Sequence, residues 1–324
     1  MKRTAVLLAA CLALIALVAS CEKKPGETGK DGRPRIVTTL FPLYDFARNI
    51  AGDRAEVHLL LPPGMESHSF EPKPDDIVRI NKSALFVYTN RFMEPWAADI
   101  IAGLDTRRTL VVDASRGARL LKAGHNGEHD HAEEGHHHAG EAAHHHGDGI
   151  DPHLWLDFAN ARIMVDNILA GLVARDPAHR DFYTANATAY KAKLADLDER
   201  YRKGLASCEK RMFLHGGHYA FGYLANRYGL HYEAAYAVTA DAEPSPAKIA
   251  DLIKKIRANN LRYIYTEELV EPRTADTIAR ETGARVLRLN GAHNIGRDDL
   301  AAGATFLSLM EQNLNNLKIG LQCR

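Results

Sequence analysis

From Arg35 onward the chain alternates between two apolar periods. Continuous runs rich in Val, Ile, Leu, Phe and Tyr occupy residues 36–40, 57–61, 85–88 and 109–112, then 211–214, 232–236, 262–266 and 285–289. Runs of that length, bounded by Gly, Pro and polar residues, predict buried strands. Between them apolar positions recur every three to four residues, predicting helices over 43–51, 74–81, 95–101, 220–228, 247–259, 273–282 and 300–317. Gly52, Gly229 and Gly283 stand where helices should stop, and Ser245-Pro246 where one should start. Strand–helix alternation of this kind predicts an α/β molecule with parallel, helix-covered sheets.

The middle of the chain lacks strands. Asp157 is placed to cap a helix carrying Ala161, Val165, Ile168, Leu169 and Leu172. Asp176-Pro177 then breaks the pattern, with Asp176 read as the N-cap and Pro177 as the first residue of a longer helix. Phe182, Ala185, Ala189, Leu194, Leu197, Tyr201 and Leu205 mark its apolar face. At about 1.5 Å per residue it would span about 40 Å, more than the width of a small domain. It is therefore expected to be a backbone helix, over 176–206, tying together two (β/α) domains at 35–175 and 207–324. The 324-residue length suits two domains better than one.

The N-terminus has a different texture. Lys2 and Arg3 precede an apolar run from Ala5 to Val18, followed by Ala19-Ser20-Cys21. A basic start, an apolar stretch too short for an ordinary membrane span and small residues at its end predict a secretory signal over 1–20. Val18-Ala19-Ser20-Cys21 resembles a bacterial lipobox, so Cys21 is the expected lipidated residue and 21–34 a flexible tether. Export would place the protein on the periplasmic or cell-surface side of the cytoplasmic membrane. Of four cysteines, Cys11 leaves with the signal and Cys21 is acylated, so Cys208 and Cys323 remain to form a disulfide in an oxidising compartment. Formal net charge is zero, and removing residues 1–20 leaves 39 basic against 41 acidic residues. No basic stripe points to nucleic acid.

Candidate chemistry lies in the histidines. Nine of the seventeen fall between His125 and His146, spaced by Gly, Ala, Glu and Asp. This loop, 125–149, holds no apolar side chain able to offset its ordering entropy until Ile150. Imidazole is the commonest protein ligand for Zn, Cu and Ni, so the tract reads as a metal collector. The compact segment Asp151-Pro152-His153-Leu154-Trp155-Leu156-Asp157 follows directly. His68 lies in the loop after the second strand, and His218 in the turn His215-Gly216-Gly217-His218 after the fifth. Loops at the carboxyl ends of parallel strands are where α/β sheets gather ligands, so His68, His153 and His218 are the candidate metal ligands. His58, His179, His215 and His231 are expected to be structural or on the surface.

Taken together, residues 64–75, 151–157 and 218–229, Glu243-Pro244-Ser245-Pro246, Tyr265-Thr266-Glu267 and the closing Met310-Glu311-Gln312-Asn313-Leu314 resemble the metal-binding lipoproteins that serve ABC importers of zinc and manganese. That family includes streptococcal metal-binding adhesins, and the likeness runs from about Arg35 to Leu321. It implies a metal in the cleft between the two domains, ligated by His68, His153 and His218. It also implies an ABC permease of a zinc importer as partner, membrane attachment through the lipid, no nucleic acid and no enzymatic role. The chain is expected to act as a monomer. A histidine in the third ligand place favours Zn²⁺ over Mn²⁺. The family's fourth ligand, often an Asp after the last strand, has no match in Leu289-Asn290-Gly291-Ala292-His293-Asn294, which leaves water, His293, Asn290 or Glu267. Two rival classes share these residues. One is a zinc enzyme with an open metal position and Glu66 or Glu267 as base, although HExxH and GxSxG motifs are absent. The other is a surface adhesin.

Overall fold

The computed structural model describes residues 32–124, 149–238, 243–268 and 272–324. The signal segment, Cys21 and most of its tether, and the nine clustered histidines lie outside the described residues. Among those described, no helix is long and apolar enough to cross a membrane.

Eight short strands form two four-stranded parallel sheets. The first is ordered β2-β1-β3-β4, from β1 (Arg35–Thr38), β2 (Glu56–Leu59), β3 (Leu85–Tyr88) and β4 (Leu110–Asp113). The second repeats that order as β6-β5-β7-β8, from β5 (Met212–His215), β6 (His231–Ala234), β7 (Tyr263–Thr266) and β8 (Arg285–Arg288). All six pairings are parallel, with Val37 opposite both His58 and Phe86 and Ile264 opposite Val286. Helices cover both faces, and for that reason the central strands read as unbroken apolar runs.

The first half carries helices α1 (Phe41–Ala51), α2 (Pro74–Asn81) and α3 (Ala97–Gly103). A 3-10 turn at Leu154–Leu156 leads into α4 (Phe158–Arg175), whose N-cap Asp157 accepts the Ala159 N–H at 2.8 Å. The long helix α5 (Arg180–Gly204) runs 25 residues, about 38 Å. It packs on α1 and α4 from the first half and on the last helix from the second. The second half adds α6 (Gly222–Tyr228), α7 (Pro246–Ala258), α8 (Arg273–Thr282), α9 (Arg297–Ala301) and α10 (Phe306–Gly320).

Two expectations fail locally. Asp176 does not cap α5; a 3-10 turn at Pro177–His179 intervenes, and the Asp176 carboxylate bonds the His179 ring at 2.7 Å and the Tyr183 hydroxyl at 2.6 Å. The closing helix expected over 300–317 is two helices. Gly303 takes a left-handed φ of 78°, and Thr305 opens α10 with a capping box, its hydroxyl accepting the Ser308 N–H at 3.1 Å.

One apolar core runs through both halves. Phe46 of α1 meets Phe306 of α10 edge-on at 5.1 Å between ring centres, and Phe158 meets Tyr201 at 5.1 Å. A smaller cluster with Leu214, Leu252, Ile256, Ile264 and Ile278 fills the outer face of the second sheet. Cys208 and Cys323 are joined as a disulfide, which closes the second half across 115 residues.

Candidate metal centre

The carboxyl ends of the two sheets face a shared cleft, and four histidines meet there. Their ring centres are 5.2 Å apart for His68–His153 and His153–His218, 5.4 Å for His68–His218 and 5.1 Å for His218–His293. His293 lies 6.2 Å from His68 and 6.0 Å from His153. Their ligand atoms fall into two groups that share His218: His68, His153 and His218, and His218, Glu267 and His293. In the first, the Nε2 atoms of His68 and His153 are 3.2 Å apart, and those of His153 and His218 are 3.3 Å apart. Ligand nitrogens bound about 2.0–2.1 Å from a tetrahedral zinc sit about 3.3 Å from one another.

Carboxylates fix the two deepest rings. His153 is fully buried, and its Nδ1 lies 2.8 Å from Asp151 Oδ1, which also accepts the His153 backbone N–H at 3.0 Å. His218 bonds Glu267 twice, through Nδ1 at 2.7 Å and its backbone N–H at 2.6 Å. This double contact needs Gly217, where a Cβ would fall 1.9 Å from Glu267 Oε1. Pinning Nδ1 directs Nε2 of both rings into the cluster, the outer-shell device by which metal-binding histidines are oriented.

The cluster is inhospitable to protons except at one place. Burial pushes His68 down to about 3 and His293 to about 4, and neighbouring His218 adds to both effects. His153 is lowered well below its ordinary value, first by burial and then by His218. His218 moves up: burial opposes its charge, but the Glu267 hydrogen bond and the charges of Glu267 and Glu66 outweigh that. Glu267 correspondingly falls below the carboxylate range, because its bond to His218 overcomes the burial that would raise it. Three Nε2 atoms at these distances cannot all present lone pairs to one another. A proton on one of the facing nitrogens, or a metal ion in its place, reconciles them.

Each residue singled out in the sequence has a definite place. His68, His153 and His218 come together, with His68 the one still reached by solvent. Of the residues weighed for the fourth place, only His293 brings an imidazole into the cluster. Glu267 is engaged through both oxygens by His218. Asn290 is held in a buried pair with Asn313, and its side-chain oxygen accepts the Ala292 N–H at 2.7 Å. Glu66 Oε1 accepts the His68 N–H at 2.9 Å. His58 and His179 pair with Glu56 and Asp176 on the surface, and His231 is exposed. His215 is fully buried, its Nδ1 accepting the Gly217 N–H at 3.1 Å and so shaping the turn to His218. Asp151 was missed as a partner of His153. Its signal was its place two residues before a candidate ligand in a Pro-bounded segment.

A two-lobed α/β frame with convergent, carboxylate-oriented imidazoles buried between the lobes defines a metal-binding protein of the cleft type. The family model for ZnuA, zinc-uptake complex component A, periplasmic, matches residues 36–320, and the chain belongs to that family. It is 37% identical over 320 residues to the zinc-binding lipoprotein AdcA of Streptococcus pneumoniae strain R6, covering 98% of this chain and 61% of AdcA. The chain thus spans about three-fifths of that relative. It is 36% identical over 314 residues to the high-affinity zinc uptake system protein ZnuA of Bacillus subtilis strain 168, covering 97% of this chain and 96% of that one. The crystal structure of the Zn(II)-bound ZnuA-like domain of Streptococcus pneumoniae AdcA superposes with a TM-score of 0.74 at 33% identity, covering 90% of this chain and 99% of that domain.

Proposed function

We propose that this protein captures one Zn²⁺ in the cleft through His68, His153, His218 and His293 and delivers it to the permease of an ABC zinc importer. The reading rests on one observation: the Nε2 spacings of 3.2 and 3.3 Å, which match the edges of a zinc tetrahedron. Four nitrogen donors leave no open position, an arrangement of binding rather than catalytic zinc. Neutral imidazoles favour zinc over manganese, a harder ion that prefers oxygen donors in octahedral geometry. Zinc here is cargo, so the site must also give it up. The four rings lie on loops at the strand ends, between two lobes a permease can grip.

Residues 1–20 would direct export, Cys21 would carry the lipid, and the histidines of 125–148 would add weaker, exchangeable sites beside the tight one. The single-chain core, continuous through both halves, suits a monomer.

Metal analysis of protein purified without affinity resin, followed by competition titration of Zn²⁺ against Mn²⁺, tests the proposal. One tightly held zinc and a preference for zinc are expected. His153→Ala and His218→Ala should each weaken zinc about 100-fold, close to 3 kcal/mol. Unchanged affinity in both variants would refute the site. Deleting 125–148 should lower total stoichiometry and leave the tight zinc in place.

A further inference from the structure

The base of the histidine-rich segment is bolted to the opposite lobe by Tyr223, with Tyr219 packed beside it. The outgoing and returning chains pair antiparallel at Lys122 and Ile150, and the Asp151 N–H bonds the Leu121 carbonyl at 2.9 Å. Tyr223 of α6 straddles this stem: its hydroxyl accepts the Leu121 N–H and donates to the Asp151 carbonyl, both at 3.0 Å. Tyr219, directly after His218, lines the same cavity as Gly124 of the stem. Its ring is held against Tyr232 at 4.8 Å, and its N–H bonds the Ala237 carbonyl at 2.9 Å.

The stem also carries Asp151, whose Oδ1 orients His153. The other oxygen, Oδ2, is buried and without a hydrogen-bond partner, so its place depends on packing. A Cβ on Gly222 would fall 2.6 Å from Asp151 Oδ2 and 2.8 Å from the Tyr219 hydroxyl oxygen, which does not bond it. Gly222 and Tyr219 thus wall the space in which this carboxylate sits.

We propose that Tyr219 and Tyr223 are positioning residues of the metal centre. Tyr223 clamps the stem across the cleft and Tyr219 walls in the Asp151 carboxylate, so that the His153 ring keeps its aim. The chain of contacts runs from Leu121, through Tyr223 and Asp151, to His153. The proposal rests on the reading of this cluster as a zinc site.

The test uses the full mature chain and the variants Tyr219→Phe, Tyr223→Phe, both together, and Gly222→Ala. Tyr190→Phe is the control, a tyrosine whose hydroxyl bonds Asp45 at 2.8 Å, away from the cleft. The readouts are zinc release to excess chelator and the visible spectrum of the Co²⁺-loaded protein, which reports ligand geometry. The double variant should release zinc about 3- to 10-fold faster and shift the cobalt bands, less than the 10–100-fold typical when the residue bonded directly to a ligand is lost. Gly222→Ala should act in the same direction, and Tyr190→Phe should leave both readouts at wild type. Should the double variant not fold, the two single variants carry the test. Wild-type release and spectrum in the tyrosine variants overturn the clamp. Wild-type protein that takes up no zinc overturns the clamp and the metal reading together.

Discussion

The two halves repeat one strand–turn–helix unit and load it with opposite chemistry. β1 ends at Thr38 and β5 at His215, and each following helix stops at a glycine the same distance on, Gly52 and Gly229. Three residues past the strand the first half places Phe41 and the second places His218. Phe41 is buried in the core; His218 is equally buried but faces the cleft with a carboxylate at its back. The carboxylates differ in the same way. In the first half Glu94 folds back over the strand ends, accepting the Thr39 hydroxyl at 2.5 Å and the N–H groups of Thr89 and Asn90. Burial without a nearby cation pushes Glu94 up to about 7. In the second half Glu267 occupies the matching end of its sheet, finds an imidazole, and is lowered instead. Position in the fold brings each group to the cleft, and the partner waiting there decides whether it seals the lobe or orients an imidazole.

The halves also differ in covalent closure, and this gives the largest expected effect. Only the second half is stapled, by Cys208–Cys323 across 115 residues. Paired Cys208→Ser and Cys323→Ser substitutions should destabilise it by up to about 4–5 kcal/mol in the chain-entropy model. Hydrogen exchange should place the loss in β5–β8 and leave β1–β4 protected. Equal loosening of both sheets would show that the shared core makes one cooperative unit.

Next in size is the pH dependence of the first half. Glu94 titrates near 7 when folded, against about 4.5 when unfolded. The native state therefore binds the extra proton between these values, and stability falls as pH rises through that window. The contribution is present below about 4.5 and gone above about 7. Its size is on the order of 3 kcal/mol. Glu94→Gln cannot ionise, so urea unfolding of wild type and variant at pH 5 and pH 8 should differ by about that amount between the two pH values. A constant difference would show that the Thr39 and backbone bonds keep Glu94 ionised throughout.

Much of this frame was legible in the sequence. The apolar runs located all eight strands, because strands buried on both faces need unbroken apolar stretches. The helix stops were readable at Gly52, Gly229 and Gly283 for the same backbone reason. His68, His153 and His218 stood out because each follows a strand or a Pro-bounded turn. What escaped was pairing at a distance. Glu267 and His218 are 49 residues apart, and the bond that makes one a holder of the other depends on how β5 and β7 lie together. The break at Gly303 was hidden because the apolar period resumes in phase on the far side. Asp176 looked like a cap, and its carboxylate instead spans to Tyr183.

The smallest expected effect concerns the fourth ligand. Taking Asn290 for the position of the family aspartate leads to one experiment, Asn290→Asp, with a gain in manganese affinity. The structure points elsewhere. The Asn290 side chain holds the Ala292 N–H, and its backbone is locked to Asn313 on both sides. A carboxylate at 290 would keep accepting that N–H and would not reach the cleft. Ala292 itself takes a left-handed φ of 57°, which costs a non-glycine residue about 1 kcal/mol or more. The strain is sustained because Trp155 bonds the Gly291 carbonyl at 2.8 Å and Asn294 bonds the Pro62 and Met65 carbonyls. This over-determined backbone holds the buried His293 imidazole in the place proposed for the fourth ligand. His293→Ala should then weaken zinc about 10-fold, near 1.4 kcal/mol. His293→Asp should restore much of the zinc binding and narrow the margin over manganese, while Asn290→Asp should leave that margin where it is. Competition titration of the three variants separates the outcomes. A manganese gain from Asn290→Asp, with none from His293→Asp, would return the fourth place to residue 290.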